Sequence, residues 1–161
     1  MKTITGLDEL KAMIGQTIGP SDWLTVTQEM IDGFARVTGD NQWIHVDVER
    51  ARKESPAGTT IAHGFLVLSL IGSLQPGIYT VKSRQTLNYG IEKLRFLNMV
   101  RSGARIRLSE QIQSVEDTGK GHRTTSRVTI EVEGKSARPS WPIWCFSTSS
   151  DAAPPVTAKG G

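Results

Sequence analysis

The stretch IAHGFLVLSLIGSL, Ile61 to Leu74, decides the architecture. It is apolar on nearly every side and long enough for a helix buried all round. Gln75-Pro76-Gly77 ends it, and SPAGTT (Ser55 to Thr60) precedes it as a loop with Pro56 and Gly58 as breakers. A helix without a polar face needs walls, and the second half of the chain supplies them. Ala104, Ile106 and Leu108 alternate with Arg105, Arg107 and Ser109, and Val128, Ile130 and Val132 with Thr129, Glu131 and Glu133. Both runs have strand periodicity. EDTGKGHR (Glu116 to Arg123) reads as their hairpin connection, with His122 a solvated loop residue. TLNYGIEKLRF, residues 86–96, reads as a further strand interrupted by Gly90. Helices first and antiparallel strands afterwards give an α+β fold: a curved antiparallel sheet covering one buried helix, here residues 61–74.

Upstream, Leu7, Leu10, Met13 and Ile14 are spaced for a short helix over residues 7–15. Gly15 and Gly19-Pro20 break the chain. A second helix starts after Thr27, its N-cap, carries Met30, Ile31, Phe34, Ala35 and Val37 as apolar positions, and stops at Gly39. DVERARKE, residues 47–54, reads as a short polar helix or turn.

The chain of 161 residues fits one domain, with 37% apolar and 22% charged residues. The formal charge is +3, but the basic residues are scattered, so no nucleic-acid footprint forms. The single cysteine, Cys145, excludes an intrachain disulfide. The N-terminus MKTITGLDELKAMIG has neither a signal-peptide pattern nor a membrane span, which points to the cytoplasm.

Two short features carry candidate chemistry. TGDNQWIH (Thr38 to His45) places Asp40 five residues before His45. A carboxylate and an imidazole sharing one water can orient it, take its proton and return a proton elsewhere. The same spacing fits a turn capped by Asp40 with His45 packed on Trp43, or a metal held by Asp40, His45 and Asp47. AHG (Ala62 to Gly64) lies at the start of the apolar helix, where backbone N–H groups lack internal partners. A glycine there lets a ligand oxygen approach, as an oxyanion hole requires. It also fits a glycine that only permits close packing, beside a satisfied His63. Asn88-Tyr89-Gly90 forms a third feature, structurally a strand with a glycine bulge.

Together these residues resemble a known family. Phe34, Thr38-Gly39-Asp40 and His45, followed by TTIAHGF (Thr59 to Phe65), resemble the MaoC-like dehydratases, the (R)-specific enoyl-CoA hydratases of the hot-dog fold. GDNQWIHVDVERA and LNYGIEKLRF are similar to the nodulation protein N branch. The resemblance runs from about residue 5 to about residue 138. It implies reversible syn addition of water across a trans-2-enoyl thioester to give an (R)-3-hydroxyacyl thioester. It assigns Asp40 and His45 as catalytic and the Gly64 N–H to the thioester oxygen. Asn41, Trp43, His63, Phe65, Asn88 and Tyr89 are expected around the substrate, with Phe65, Leu66 and Leu68 as tunnel walls. It implies no metal and no cofactor beyond the CoA or phosphopantetheine of the substrate. Its implied partners are an acyl-CoA or acyl carrier protein thioester and a second copy in a homodimer. A non-catalytic acyl-thioester binder and a hot-dog thioesterase are the alternatives; both Asp40 and His45 argue against the first, and the motif around them against the second.

The sequence departs from the family in two places. A serine that assists some hydratases falls at Gly72. After Glu133-Gly134, where the family adds one more apolar strand, the chain reads KSARPSWPIWCFSTSS, with Pro139, Pro142, Trp141 and Trp144. These suit a central strand poorly. Reading the codons of Trp141 to Phe146 two nucleotides on constrains them to an apolar strand, which points to a frameshift; otherwise Ile143 to Phe146 form a short edge strand. The expected domain is 1–146, and the small polar stretch 147–161 is expected to be a disordered tail.

Overall fold

The computed structural model describes residues 2–119, 121–135 and 145–151. Two long strands form its frame. β6 (Arg105–Asp117) and β7 (Gly121–Val132) pair antiparallel from Ile106↔Val132 to Asp117↔His122, with a bulge between Ile112 and Ser114. The alternation in the sequence becomes two faces. Ile106, Leu108, Ile112, Val128 and Val132 point into the core and are buried. Arg107 and Glu131, opposite one another, pair at 2.7 Å on the outer face, and Arg105 pairs with Glu133 beside them. Trp23 stacks under the Arg107 guanidinium at 4.5 Å.

The strands reach further than the alternation suggested, so the connection shrinks to residues 118–120. His122 is therefore not a solvated loop residue: it lies on β7 opposite Asp117, half-buried. Burial lowers its pKa below the usual imidazole value, against the pull of Asp117.

β2 (Thr17–Ile18) and β3 (Leu24–Thr25) pair with the other edge of β6. On the far side β8 (Cys145–Asp151) inserts between β7 and β5 (Thr86–Ile91), giving the order β2-β6-β7-β8-β5. The expected disordered tail thus begins too early: residues 147–151 belong to the sheet, and the domain extends past 146. The ladder uses backbone groups alone, so a run of Ser and Thr without apolar alternation can complete it. The strand is interior, not a short edge strand. Residues 136–144, which hold the prolines behind the frameshift reading, and 152–161 lie outside the described residues. β5 ends at Ile91, short of residue 96, and its register shifts at the expected bulge, between Asn88 and Gly90. β1 (Lys2–Ile4) pairs in parallel with β4 (Tyr79–Val81) as a separate two-stranded sheet.

The apolar stretch packs on the inner face of the sheet as α5 (Gly64–Ser69) and α6 (Ile71–Leu74), followed by a 3₁₀ turn, Gln75–Gly77. Leu66, Val67, Ile71 and Leu74 join Ile106, Leu108, Val128 and Val132 in one core. Each such burial stabilises by roughly 1.5–3 kcal/mol. The helix starts at Gly64 rather than Ile61. Residues 61–63 are extended because their backbone is claimed elsewhere: Ile61 N–H donates to the Ile44 carbonyl (3.0 Å) and Ala62 N–H to Val100 (2.7 Å).

Over the front lie α1 (Leu7–Lys11), α2 (Gln28–Thr38), α3 (Trp43–Val46) and α4 (Val48–Glu54). α1 stops before the expected residue 15, its continuation being turns. α2 matches expectation at both ends. Thr27 Oγ1 accepts the Met30 N–H, and Gly39 adopts φ 78°, a left-handed cap that β-carbon-bearing residues disfavour.

Candidate active site

Three segments meet at one place. The left-handed turn at Gly39 ends α2 and sends Asp40 back over the helix end. α3 follows at once and buries His45. The extended residues 61–63, tied to α3 through the Ile61–Ile44 bond, bring His63 and Gly64 alongside. The Asp40 carboxylate, exposed, and one ring nitrogen from each of the buried His45 and His63 all lie within 4.8 Å of one another.

The hydrogen bonds set the tautomers. His45 Nδ1 lies 2.6 Å from the Ile61 carbonyl oxygen. A carbonyl only accepts, so Nδ1 carries the hydrogen and Nε2 of the neutral ring holds a lone pair. His63 Nε2 lies 3.0 Å from the Asp40 carbonyl, so there Nε2 is the donor. The two rings stack, centroids 3.8 Å apart and 25° from parallel. Planes so nearly parallel meet far outside a metal–imidazole bond of roughly 2.0–2.1 Å, so their in-plane lone pairs do not converge on one ion. The cluster suits proton transfer better than shared metal ligation.

His45 and Gly64 both open onto one cleft of about 230 Å³, walled also by Ile61, Ala62, Phe96, Leu97, Asn98 and Met99. Gly64 is the first residue of α5, where an N–H has no carbonyl four residues back. Its missing side chain is also used: a β-carbon there would meet ring atoms of Phe96 at 2.8–2.9 Å. The packing reading of Gly64 therefore holds, and it does not conflict with a ligand approaching there. The wall at Phe96–Met99 follows β5 as an irregular segment with no periodic signal, and the sequence reading missed it. It missed Gln28 as well, whose side chain donates to the His45 carbonyl (2.8 Å) and to Asp32 (2.8 Å) and accepts from Thr60. Gln28 and His45 are 17 residues apart, and only the fold brings the first turn of α2 against α3.

Several expected site residues lie outside this cleft. The Asn41 amide turns back to the Gly39 carbonyl at 3.2 Å. Trp43 lies under Arg50 at 4.4 Å, so His45 packs on His63 and not on Trp43. Phe65 is exposed and meets Phe96 edge-on at 5.7 Å, behind the cleft wall. Leu66 is turned into the core, and Leu68, partly buried, packs against that core. Asn88 and Tyr89 are exposed on β5, with the Arg123 guanidinium 3.9 Å over the Tyr89 ring. Asp40 Oδ1 accepts from Gln42 N–H at a long 3.4 Å, a weak turn cap that leaves the carboxylate available.

Residues 9–134 match the family model described as MaoC like domain. The chain is 48% identical over 142 residues to 3-hydroxyacyl-thioester dehydratase Z of Mycobacterium tuberculosis, covering 87% of this chain and 93% of that one. It is 42% identical over 133 residues to nodulation protein N of Rhizobium leguminosarum bv. viciae, covering 81% and 83%. Among solved structures, a monoamine oxidase regulatory protein from Archaeoglobus fulgidus superposes with a TM-score of 0.72 at 27% identity, covering 95% and 98%.

Proposed function

The chain belongs to the MaoC-like dehydratase family, and from that premise we propose that Asp40 and His45 carry out the (R)-specific hydration of a trans-2-enoyl thioester to a 3-hydroxyacyl thioester, and its reversal. It is a hydro-lyase with a hot-dog fold. The observation that carries the assignment is the commitment of His45 Nδ1 to the Ile61 carbonyl, which leaves Nε2 as the lone-pair nitrogen of a ring that lines the cleft and has a nitrogen within 4.8 Å of the Asp40 carboxylate.

The steps follow from those positions. One water sits between Asp40 and His45. His45 Nε2 takes its proton as the oxygen adds to carbon 3 of the enoyl group. The charge that develops on the thioester oxygen is met by the Gly64 N–H. The imidazolium then returns the proton to carbon 2 from the same face, so addition is syn and the base is regenerated. Water is the only co-reactant and no electrons leave, so the reaction calls for no redox cofactor, and the carboxylate–imidazole pair supplies the proton transfer. The exposed apolar wall of Phe96, Leu97 and Met99 suits an acyl chain.

The thioester is carried by CoA or by an acyl carrier protein, and the enzyme works in the cytoplasm as a homodimer. Among the described residues no helix is long and apolar enough to cross a membrane. The test is to mix the enzyme with crotonyl-CoA and follow both the enoyl absorbance and free thiol. Hydration removes the absorbance without releasing thiol and gives the (R)-3-hydroxy product on chiral analysis. Thiol release would make the protein a thioesterase, and no change across chain lengths would make it a binder.

A further inference from the structure

His63 takes no part in the reaction as derived, yet it is the most deeply buried polar group of the cluster, 3% exposed. Its ring is held on three sides. Nε2–H donates to the Asp40 backbone carbonyl at 3.0 Å. One face lies on the His45 ring at 3.8 Å. Phe34, from α2, packs against it at 5.0 Å with the planes tilted by 48°. Nδ1 has no hydrogen-bond partner among the described residues although it is buried. A buried polar atom left unsatisfied carries a cost. An apolar ring would fill the same space without it, so packing alone does not account for a histidine here.

The geometry points to His63 as a positioning residue that sets the separation of the two reacting groups, an inference that rests on the catalytic roles proposed for Asp40 and His45. The Asp40 backbone is anchored by the His63 N–H. The His45 ring is fixed in plane by the His63 face on one side and by its own Nδ1–H bond at its edge. One rigid imidazole thereby spans the two segments that carry the reacting groups, α3 and the loop after α2. It also gives an imidazolium formed at His45 a flat π surface rather than a bare apolar wall.

Two variants separate the halves of this role. His63→Gln keeps an N–H for the Asp40 carbonyl and removes the aromatic face. His63→Phe keeps the face and removes the N–H. Each is expected to lower kcat by about 10–100-fold, the scale of a small misplacement of reacting groups. KM for crotonyl-CoA should stay within about threefold, since neither change touches the substrate. A folded variant, judged by circular dichroism, that keeps wild-type kcat overturns the half it probes. If neither variant folds, histidine ¹⁵N NMR of the wild-type protein decides. The Nε2–H tautomer at His63 and the Nδ1–H tautomer at His45 are expected, and the opposite tautomer at either ring overturns the inference. A wild-type enzyme that folds, shows these tautomers and hydrates no enoyl thioester would instead sink the proposed function.

Discussion

Gly64 packs against Phe96 and carries the proposed contact to the thioester oxygen, and one substitution can separate the two. Gly64→Ala keeps the backbone N–H assigned to the thioester oxygen but adds a β-carbon 2.8–2.9 Å from the Phe96 ring. The ring is half-exposed and can swing away, so stability should fall by only about 1 kcal/mol. The displaced ring narrows the cleft, and kcat/KM should fall by at least about tenfold. Phe96→Ala in the same background should recover part of that loss, because the ring is what the new carbon meets. A Gly64→Ala enzyme with wild-type rates would show that close approach to Gly64 is not required. At this scale the sequence was half legible. Asp40, His45 and Gly64 could be named as candidates because the family's spacing marks them, and the structure places His45 near the Asp40 carboxylate and on one cleft with Gly64, whereas spacing alone left a capped turn and a packed histidine open. Trp43 was misplaced, because a ring two residues from His45 on a single helical turn points elsewhere, and Arg50 on the next helix claims it.

Among the elements, β6 holds a feature that no periodicity reveals. Glu110 sits at an inward position, 5% exposed, and accepts from the Tyr79 hydroxyl of β4 at 2.9 Å. Burial raises its pKa above the usual carboxylate value, more than its hydrogen bonds lower it. A carboxyl whose pKa is raised in the folded state favours folding fully below the unfolded value, and that contribution is lost as pH rises through the folded value. Glu110→Gln mimics the protonated acid and can still accept from Tyr79. Its melting temperature should therefore gain on the wild type as pH is raised from about 4 through neutrality. Parallel melting curves across that range would contradict the assignment. The elements legible beforehand were those with strong local signals: the Thr27 cap and Gly39 stop of α2, and the alternation of β6 and β7. β8 was misjudged because its pairing draws on backbone groups, which composition does not report. The start of the buried helix was misjudged because residues 61–63 are held extended by partners far away in sequence, at Ile44 and Val100.

At the scale of the whole molecule, one edge of the sheet bears on the proposed second copy. β5 is the last strand of the sheet, and among the described residues its one strand neighbour is β8. All its residues are exposed, including Leu87, Tyr89 and Ile91, and the nearby cleft wall adds Phe96, Leu97 and Met99. An open apolar edge is a liability in a monomer and a natural seat for a partner. Light scattering should give twice the mass of the 17.6 kDa chain. Leu87→Lys together with Tyr89→Lys should shift the protein toward monomer. A monomeric wild type would contradict the proposed homodimer. The fold class was legible at this scale because a largely apolar helical stretch followed by alternating strands calls for a covering sheet, although the stretch is not buried all round: Phe65, Ser69, Gly72 and Ser73 are exposed along one side. The packing of one copy against another was not, since the sequence records exposed apolar residues without saying what meets them.

The central claim is that Asp40 and His45 together move the proton of one water, and single-turnover hydration of crotonyl-CoA tests it most directly. Asp40→Asn and His45→Gln, each confirmed to be folded, are compared with the wild-type enzyme by loss of the enoyl absorbance. Each should slow the chemical step by about 10²–10⁴-fold. The double variant should be little slower than the worse single one, because the groups act as a unit. Near-normal hydration in either single variant would contradict the account.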